Sequence, residues 1–484
     1  MHWIDILIFV FYFMAMLGIG YYFFKKNKDT EDYYVGGRGM GSWHIGLSVV
    51  ATDVGGGFSI GLGGLGFLMG IAGSWMLFTG LIGAWLAAVF LIPKVSTLSR
   101  KFKFLTFPQM LLHYYDGRVA LLAGIISAIG YIGFTSSQLL AGAKLASATF
   151  LELNFHFALI IMGVIAVGYT VIGGLKAVIY TDTIQWIILM VGLVFIGVPL
   201  GYKSIGGIDA IRTALPPEYL SLGNVTAVTL VNWFATIVPI WFVGMTLYQR
   251  IYACKDEKTA KKAWYVAGLF EYPIMAFMGV LLGLFARVAA EQGMFAYAGY
   301  ATAGDMDAEM GLPMLLRTIL PVGLMGLMLS AYFSAIMSTA DSCLMAASGN
   351  IVTDVLAKIL PKKLSEKANL RYSQIATLII GILALLLATV MQNVLELMLL
   401  SYAFMVSGLL VPVVGALFWK RSTSFAAFWA MLLGGATTTL LVLSDTSLPF
   451  GLDANIGGIL LSAIVFIVLS LVFPKAIIKT AVVN

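Results

Sequence analysis

Charged residues, cysteine and histidine are all scarce in this sequence. Lysine, arginine, aspartate and glutamate together make up 11% of the residues, whereas a soluble globular domain carries about 25%. Cys254 and Cys343 are the only cysteines, which excludes a disulfide framework and a cysteine-based metal cluster. The four histidines have no spacing that is typical of metal ligands.

Apolar residues are abundant and lie in long runs. They make up 60% of the 484 residues, and a run of about 20 apolar residues is long enough to span a membrane as a helix. The sequence therefore predicts an all-α polytopic membrane protein and excludes a water-soluble enzyme. The first run has no basic segment before it and no small-residue cleavage site after it, so it is predicted to be a retained helix. Thirteen transmembrane helices are predicted, at 3–23, 42–70, 74–94, 118–150, 155–174, 177–201, 226–251, 263–288, 312–348, 371–391, 394–419, 422–443 and 454–475.

The basic residues are distributed unevenly between the two sides of the membrane that this topology defines. Most of the 29 lysines and arginines fall in the loops of one side, with Arg250 among them at the end of the seventh span. An excess of basic residues marks the cytoplasmic side. The N-terminus is therefore predicted to lie outside and the C-terminus in the cytoplasm, with the chain in the lipid bilayer of the plasma membrane. This distribution explains the net charge of +6 without a nucleic-acid partner.

Ten of the spans divide into two sets of five, spans 2–6 and spans 7–11. Because five is odd, the second set crosses the membrane in the opposite direction, which is the geometry of an inverted repeat. The sequence thus predicts a single transmembrane domain over 1–484. It consists of a first helix at 3–23, repeat one at 42–201, repeat two at 226–419 and two C-terminal helices at 422–475.

The first helix of each predicted repeat contains residues that interrupt helices. Three consecutive glycines, 55–57, follow an acid in the stretch SVVATDVGGGFS, and Pro239 and Gly244 lie near the middle of the other helix. Interruptions at corresponding positions of two repeats point to a transporter binding site, because a broken helix exposes carbonyl groups that need new partners. The broken segment 51–57 is therefore predicted to supply carbonyl ligands for a sodium ion.

The ninth span carries a polar face in the stretch SAIMSTADS. Ser338, Asp341 and Ser342 are spaced i, i+3 and i+4, so they lie on one side of a helix. Helix packing in membranes favours small and hydroxyl residues, which accounts for the serines but not for the acid. This face is therefore predicted to provide hydroxyl ligands for the ion.

Several ionisable residues lie within predicted spans. Asp53, Asp182 and Asp341 are functional candidates, because a carboxylate inside a membrane costs several kcal/mol. Asp182 has an alternative interpretation as part of a solvated helix N-terminus. Lys144 is predicted to extend its amine to the outer interface, and Glu271 is assigned no role.

Three stretches of the sequence resemble the sodium:solute symporter family, whose members transport proline, pantothenate, glucose, sialic acid and choline. They are YTVIGGLKAVIYTDTIQ (169–185), SAIMSTADSCLMAAS (334–348) and DYYVGGRGMG (32–41), and the resemblance extends over about 1–480. It implies a fold of 13 helices in which helices 2–11 form a five-plus-five inverted repeat similar to that of the leucine transporter. It also implies a symporter that couples a small organic solute to Na⁺.

The resemblance implies a sodium site that joins the second and ninth spans. Its ligands fall on the carbonyl groups of Ala51, Val54 and Ala335 and on the hydroxyl groups of Ser338 and Thr339.

Some members of the family hold a second sodium ion nearer the cytoplasm. The matching positions are Asp182, Ser338, Asp341 and Ser342. Two-sodium members have serine where this chain has Asp341. Two alternatives stay open at this position: the carboxylate strengthens the binding of a second sodium ion, or it takes a proton instead.

The solute is predicted to be a small zwitterion such as proline, or another amine-bearing compound. Choline members have tryptophan at positions that match Asp53 and Gly244, so the sequence does not favour an aromatic cage for a quaternary ammonium. A carboxylate such as pantothenate or a short-chain acid is the alternative. The predicted pocket consists of Asp53, Gly55, Gly56, Phe58, Ser136, Ser137, Gln138, Trp241, Gly244, Met245 and Tyr402.

Other classes of membrane protein fit the sequence less well. A channel does not need ion ligands on two broken helices, and a membrane-embedded enzyme needs a catalytic constellation that the sequence does not suggest, so the chain is predicted not to be an enzyme. The glycines of GLGGLG (61–66) lack the lysine and hydroxyl residue of a nucleotide-binding loop. A sensor that only binds solute and a proton-coupled transporter both stay open.

Overall fold

The computed structural model describes residues 2–25, 30–170, 175–357 and 366–474. Within these residues the chain forms helices and no strand. The α-helices are α1 (Trp3–Phe24), α2 (Thr30–Val35), α3 (Ser42–Met69), α4 (Trp75–Leu86), α5 (Ile92–Phe102), α6 (Phe107–Tyr114), α7 (Gly117–Thr149), α8 (Phe155–Thr170), α9 (Leu175–Gly192), α10 (Val198–Ser204), α11 (Gly207–Ala214), α12 (Ala227–Val243), α13 (Met245–Ala253), α14 (Glu257–Leu269), α15 (Ala276–Glu291), α16 (Ala308–Ile319), α17 (Leu324–Gly349), α18 (Glu366–Val390), α19 (Val394–Phe418), α20 (Ser424–Leu443) and α21 (Ala454–Val472).

Short segments of other helix types join or extend these helices. The 3₁₀ segments are Gly36–Arg38, Gly70–Ser74, Pro217–Leu220, Ala296–Ala298, Ala303–Asp305 and Pro449–Gly451. The π-helical segments are Ala87–Leu91, Leu193–Gly197, Phe270–Met275 and Asn350–Leu356.

The helices are long and apolar enough for a polytopic membrane protein. Among the described residues, nine helical stretches meet the length and composition of a membrane span, and the bent pair α12–α13 makes a tenth. Trp3–Met16 and Phe155–Gly168 are shorter apolar helices. The stretch Gly55–Phe102 is one of these nine helical stretches, although the sequence predicts that two separate spans meet within it. The number of thirteen spans therefore stays a prediction.

Two helices form the centre of the molecule. In the most apolar 18-residue segment of Leu324–Leu356, which contains α17, 94% of the residues are buried. In the corresponding segment of α21, 28% are buried. α17 packs against α1, α3, α7 and α9, and α3 also packs against α14, α15 and α16. The helices α3 and α17, which carry the predicted break and the predicted polar face, therefore lie next to each other in the core.

Several helices begin at side chains that cap their first turn. Asp116 accepts hydrogen bonds from the backbone N–H groups of Arg118 and Val119 at the start of α7. Asp256 accepts one from Thr259 at the start of α14, at 2.7 Å. This backbone hydrogen bond lowers the pKa of Asp256 from its ordinary value, because it stabilises the carboxylate. Such caps satisfy amides that have no partner within the helix.

Lys144 pairs with two acids at the start of α16, and the extension of its amine to the outer interface stays a prediction. It is buried in α7, where its amine pairs with Asp307 and lies 2.6 Å from a carboxylate oxygen of Glu309. Glu309 also accepts hydrogen bonds from the backbone N–H groups of Val394 and Leu395, both at 2.9 Å. The ion pairs hold the amine beside the first turn of α16, because a buried cation needs an anionic partner. They tie α7 to α16 and to the start of α19.

Candidate functional site

The helix α3 is broken within its run of three glycines. Gly55 has φ 33° and ψ −156°, which is not helical. A Cβ atom at Gly55 would lie 2.6 Å from Thr339 Oγ1 and 2.8 Å from Gln138 Oε1. Both the positive φ and these close approaches require glycine. The interruption that the sequence predicts in this helix is therefore located at Gly55.

The backbone groups at this break find partners on other helices and on α3 itself. The N–H of Gly56 donates to Gln138 Oε1 of α7 at 2.7 Å. The hydroxyl of Ser59 donates to the carbonyl of Gly55. A membrane interior offers no water to replace such bonds, so these contacts are what makes the break stable.

A second break separates α12 from α13. The two helices are bent by 43° at Gly244, whereas Pro239 lies inside α12 without ending it. At the start of α13, the N–H of Thr246 donates to the hydroxyl of Tyr131 at 3.0 Å. At the end of α12, the hydroxyl of Tyr248 donates to the carbonyl of Phe242 at 2.8 Å.

The helix α7 supplies a hydrogen-bond partner to both breaks. Gln138 serves the break in α3 and Tyr131 serves the break between α12 and α13. These two residues are seven positions apart, which is about two helical turns, so they lie on the same side of α7. Sequence reasoning selected Gln138 but missed Tyr131, although its spacing from Gln138 is a signal that could have found it.

Three of the five predicted sodium ligands meet at the break of α3. Thr339 Oγ1 donates to the carbonyl of Ala51 at 3.0 Å and to the carbonyl of Ala335 at 3.2 Å. Val54 directly precedes Gly55, so its carbonyl belongs to the broken segment. The hydroxyl of Ser338 donates to the carboxylate of Asp182 instead. Neutral oxygens gathered at a broken helix suit a dehydrated monovalent cation.

A charged cluster lies next to these neutral oxygens. Asp182 and Arg250 are both fully buried, and Arg250 Nη2 lies 3.5 Å from Asp182 Oδ2. The guanidinium also donates to Thr52 Oγ1 at 2.7 Å and to Ser342 Oγ at 2.8 Å. Asp182 further accepts a hydrogen bond from Ser48 Oγ at 2.5 Å. The interpretation of Asp182 as a solvated helix cap is therefore wrong, because the residue lies inside α9 with no exposure.

Arg250 is not a loop residue, although the sequence analysis placed it among the cytoplasmic basic residues. It lies in α13 and is fully buried. Its position inside the predicted span 226–251 is the signal that could have identified it. A buried cation needs an anionic partner, and the chain offers Asp182.

The four residues of the predicted second sodium site do not share one set of contacts. Asp182 and Ser338 bond to each other, whereas Ser342 accepts a hydrogen bond from Arg250. Asp341 accepts a hydrogen bond on Oδ1 from Thr170. The second sodium site at these residues stays a prediction.

The acid of the predicted solute pocket faces a second acid. Asp53 Oδ1 accepts a hydrogen bond from the hydroxyl of Tyr402 at 3.3 Å, and the ring of Phe134 meets that of Tyr402 edge-on at 5.1 Å. The carboxyl groups of Asp53 and Glu271 lie near each other. Among the described residues, Asp53 Oδ2 and both oxygens of Glu271 have no hydrogen-bond partner.

Sequence reasoning missed Glu271. It is fully buried and lies in the π-helical segment Phe270–Met275. A Cβ atom at Gly80 would lie 2.2 Å from Glu271 Oε2, so the glycine of α4 makes room for this carboxyl group. The signal that could have found Glu271 is the one that selected Asp53, an acid inside an apolar span.

The remaining pocket residues divide into two groups. Ser136 and Ser137 of α7 donate to carbonyl groups of their own helix, at 2.8 Å and 2.7 Å. The others lie on α3 or near the second break. Gly56 follows Gly55 at the first break, Gly244 forms the second break, and the side chain of Phe58 lies outside the described residues.

Trp241 and Met245 contact other helices of the core. A Cβ atom at Gly83 of α4 would lie 2.3 Å from Trp241 Cδ1, and the ring of Trp241 meets that of Trp264 at 6.4 Å. The sulfur of Met245 accepts a hydrogen bond from the N–H of Phe107 at 3.3 Å. The structure therefore shows packing partners for both side chains, and their role in a pocket stays a prediction.

The sequence of the chain matches a known protein family over most of its length. The model of the sodium:solute symporter family matches residues 33–434. The chain belongs to the sodium:solute symporter family. Membership assigns to it sodium-coupled transport of a solute across a membrane, with Na⁺ as the co-transported ion.

Relatives within the symporter family match almost the whole chain. The osmoregulated proline transporter OpuE of Bacillus subtilis (strain 168) is 27% identical over 96% of this chain and 94% of its own length. The high-affinity proline transporter PutP of the same organism is 29% identical over 88% of this chain and 89% of its own length. The sodium/pantothenate symporter of Escherichia coli (strain K12) is 25% identical over 95% and 94%.

Solved transporter structures share the fold of this symporter. A Na⁺-coupled sialic acid symporter in a substrate-bound outward-open state has a TM-score of 0.78 at 21% sequence identity, over 98% of this chain and 99% of that chain. Mhp1, a nucleobase-cation-symport-1 family transporter, has a TM-score of 0.56 at 13% identity, over 90% and 92%. The fold is therefore that of the leucine-transporter-like transporters.

Proposed function

We propose that this symporter imports a small amine-bearing zwitterion, such as proline, together with Na⁺ by alternating access. The observation that carries the proposal is the bonding of Thr339 Oγ1 to the carbonyls of Ala51 and Ala335 at the break of α3. Asp53 lies on the same broken segment. An ion at the break and a solute at Asp53 would then stabilise the same conformation of α3, which is what coupling requires.

The proposed sodium ligands are the carbonyls of Ala51, Val54 and Ala335 and the hydroxyls of Ser338 and Thr339. An ion would replace the hydrogen bonds of Thr339, since the hydroxyl oxygen and both carbonyls can turn lone pairs towards a cation. Ser338 would have to exchange its bond to Asp182 for the ion.

The paired carboxyl groups support a solute that carries an amine. Two carboxylates near each other inside an apolar core repel each other unless a proton or a cation lies with them. An ammonium group between Asp53 and Glu271 would supply that charge. The amides that follow Gly56 at the start of the second half of α3 suit the carboxylate of a zwitterion, because a helix N-terminus favours anions. The proline transporters among the relatives agree with this solute class.

A carboxylate such as pantothenate is the second candidate, and the pantothenate symporter among the relatives favours it. Its negative charge would meet the carboxyl groups of Asp53 and Glu271, so the zwitterion is the better match. Proton coupling in place of sodium coupling is the other alternative.

The proposed orientation has the N-terminus outside and the C-terminus in the cytoplasm of a cell whose plasma membrane holds the chain. A cavity of about 770 Å³ lies beside Lys144, Tyr300, Asp307 and Met391. In this orientation the cavity opens to the outside, so we assign it to the entry of the solute. In this proposal, the five-plus-five repeat, 42–201 and 226–419, is the part of the chain that moves during alternating access.

Uptake into proteoliposomes tests the proposed function. Labelled proline and labelled pantothenate are offered with an inward gradient of Na⁺, of K⁺ or of protons. We expect proline uptake that requires the Na⁺ gradient. Thr339→Ala should raise the half-saturating Na⁺ concentration roughly tenfold, equivalent to about 1.4 kcal/mol for one lost ligand.

Ser330→Ala is the matched control, because Ser330 lies on the same helix and donates to the carbonyl of Gly326 at 2.5 Å. It should leave the Na⁺ dependence unchanged. Uptake that follows the proton gradient without Na⁺ would overturn the proposed coupling. Uptake of pantothenate but not of proline would overturn the proposed solute.

A further inference from the structure

A groove lies on the outer surface of the helix assembly, between α8 and α18. Its volume is about 580 Å³, which is within the range of about 300–1,000 Å³ for small-molecule sites. Val164, Leu378 and Ile382 on its walls are exposed, so the groove opens outward. Apart from Arg371 and Gln374, its lining consists of glycines and aliphatic residues. In a membrane the groove therefore offers an apolar binding surface to the surrounding lipid.

Glycines shape this groove in two ways. A Cβ atom at Gly381 would lie 2.3 Å from Val167 Cγ2. A Cβ atom at Gly163 would lie 2.9 Å from Leu385 Cδ1. The helices α8 and α18 are therefore in close contact, and this contact closes the back of the groove. At Gly168, by contrast, a Cβ atom would meet nothing within 4 Å, so this glycine leaves the space of the groove open.

The two polar side chains of the groove lie near the start of α18. Arg371 and Gln374 are about one helical turn apart, so they lie on the same side of the helix. Among the described residues, neither side chain forms a hydrogen bond or an ion pair. A guanidinium binds a phosphate group well, because its N–H groups match two phosphate oxygens. The groove is therefore complementary to a molecule with an apolar chain and an anionic head.

The position and length of the groove match one leaflet of a bilayer. In the proposed orientation α18 begins on the cytoplasmic side, where anionic lipids attract basic residues. Arg371 and Leu385 are fourteen positions apart on α18, which is about 21 Å at a rise of about 1.5 Å per residue. One leaflet with its headgroups is about 20–22 Å thick. A lipid whose phosphate lies at Arg371 would therefore place an acyl chain along the whole groove.

We propose that this groove binds one anionic phospholipid of the cytoplasmic leaflet. The guanidinium of Arg371 and the amide of Gln374 bind the phosphate, and one acyl chain lies between α8 and α18. These helices are the fourth helices of the two proposed repeats, so the lipid contacts both repeats at once. It stabilises the packing of α8 on α18 at a place separate from the break of α3.

Binding of defined lipids to the purified full-length protein tests the proposal. The delipidated protein in detergent is titrated with phosphatidylglycerol, with phosphatidylcholine of the same acyl chains or with inorganic phosphate, and native mass spectrometry counts the retained lipid. We expect one retained phosphatidylglycerol per chain. Its binding should raise the melting temperature, whereas phosphatidylcholine and inorganic phosphate should raise it much less.

Arg371→Gln tests the recognition of the headgroup. It should raise the half-saturating concentration of phosphatidylglycerol roughly fivefold, as the loss of one charge near anionic lipid does. Arg118→Gln is the matched control, because Arg118 is exposed at the start of α7, on the same predicted side of the membrane, and does not line the groove. Without lipid, Arg371→Gln should melt at the temperature of the unaltered protein, since its side chain has no partner among the described residues to lose.

Gly168→Phe tests the groove separately from the charge. The ring would fill the open space at Gly168 and should reduce the retention of phosphatidylglycerol, although Arg371 is intact. Ile160→Phe is the matched control, because Ile160 is exposed on the same helix and does not line the groove. This control should retain the lipid as the unaltered protein does.

Four outcomes would overturn the proposal. They are equal retention of phosphatidylglycerol and phosphatidylcholine, equal stabilisation by inorganic phosphate, and unchanged lipid binding in either Arg371→Gln or Gly168→Phe. The fourth is a dimer without retained lipid that Gly168→Phe dissociates, which would assign the groove to a second copy of the chain. None of these outcomes bears on sodium symport, which the uptake assay tests.

Discussion

The two broken helices of the core differ in what keeps each of them broken. Gly55 in α3 has a φ of 33°, which only glycine adopts easily, and a Cβ atom there would lie within 2.8 Å of Thr339 and Gln138. Gly244 between α12 and α13 has a φ of −67°, which any residue adopts. A Cβ atom there would lie 3.1 Å from the carbonyl of Ile240, a much milder contact.

The difference separates a break that the backbone itself requires from a break that side chains hold. In α3 the left-handed residue and the close packing make the break specific to glycine. Between α12 and α13, the hydroxyls of Tyr131 and Tyr248 accept and donate the hydrogen bonds that the helix has lost. We therefore expect substitutions at the first break to lower the stability of the protein strongly. A substitution of the glycine at the second break should lower it only slightly.

The largest expected effect is that of Gly55→Ala. At the φ of 33° and ψ of −156° of this position, backbone strain costs an alanine about 1–3 kcal/mol, and overpacking costs about 1–3 kcal/mol more. The variant should lose at least about 2 kcal/mol of stability. Its melting temperature should also rise much less on adding Na⁺ than that of the unaltered protein. Thermal unfolding in detergent, with and without Na⁺, measures both. A melting temperature equal to that of the unaltered protein would show that the break is not specific to glycine.

Gln138→Leu should have the next largest effect. It leaves the N–H of Gly56 without its acceptor, which costs about 1–3 kcal/mol in a buried site. Thermal unfolding measures the loss. Ser136→Ala is the matched control on the same helix, because Ser136 donates only to the carbonyl of Ile132. Equal stability of both variants would mean that Gln138 does not support the break.

Tyr131→Phe should have a smaller effect, of about 1 kcal/mol. The ring keeps its packing, and only the hydroxyl that accepts the N–H of Thr246 is lost. If the break between α12 and α13 depends on this hydroxyl, unfolding should begin at a lower temperature and solute uptake should slow. A loss of stability as large as that of Gly55→Ala would mean that the second break depends on its side-chain contacts as strongly as the first break depends on glycine.

Gly244→Ala should have the smallest effect, below about 1 kcal/mol. Its φ is ordinary, and the side chain of Leu247 can move away from a new methyl group. The direct comparison of Gly244→Ala with Gly55→Ala, by melting temperature in the same preparation, is the sharpest test of the difference. Similar losses in the two variants would contradict it.

The sequence by itself determined the class of the protein and the position of its breaks. Long apolar runs predict membrane helices, and the short-range chemistry of glycine predicts the break in α3, because both depend on neighbours along the chain. The motif around Ser338 and Thr339 carried the family resemblance, and the family match confirms it. The second break was predicted less sharply, since Pro239 stays within a helix and only Gly244 breaks it.

Only the tertiary structure decided which charged groups meet. Asp182 pairs with Arg250, Asp53 faces Glu271, and Lys144 pairs with acids of α16. These partners come from helices that are far apart in the sequence, so no local pattern relates them. Their contacts follow from how the helices pack, and a buried charge must be satisfied by whichever groups that packing brings near.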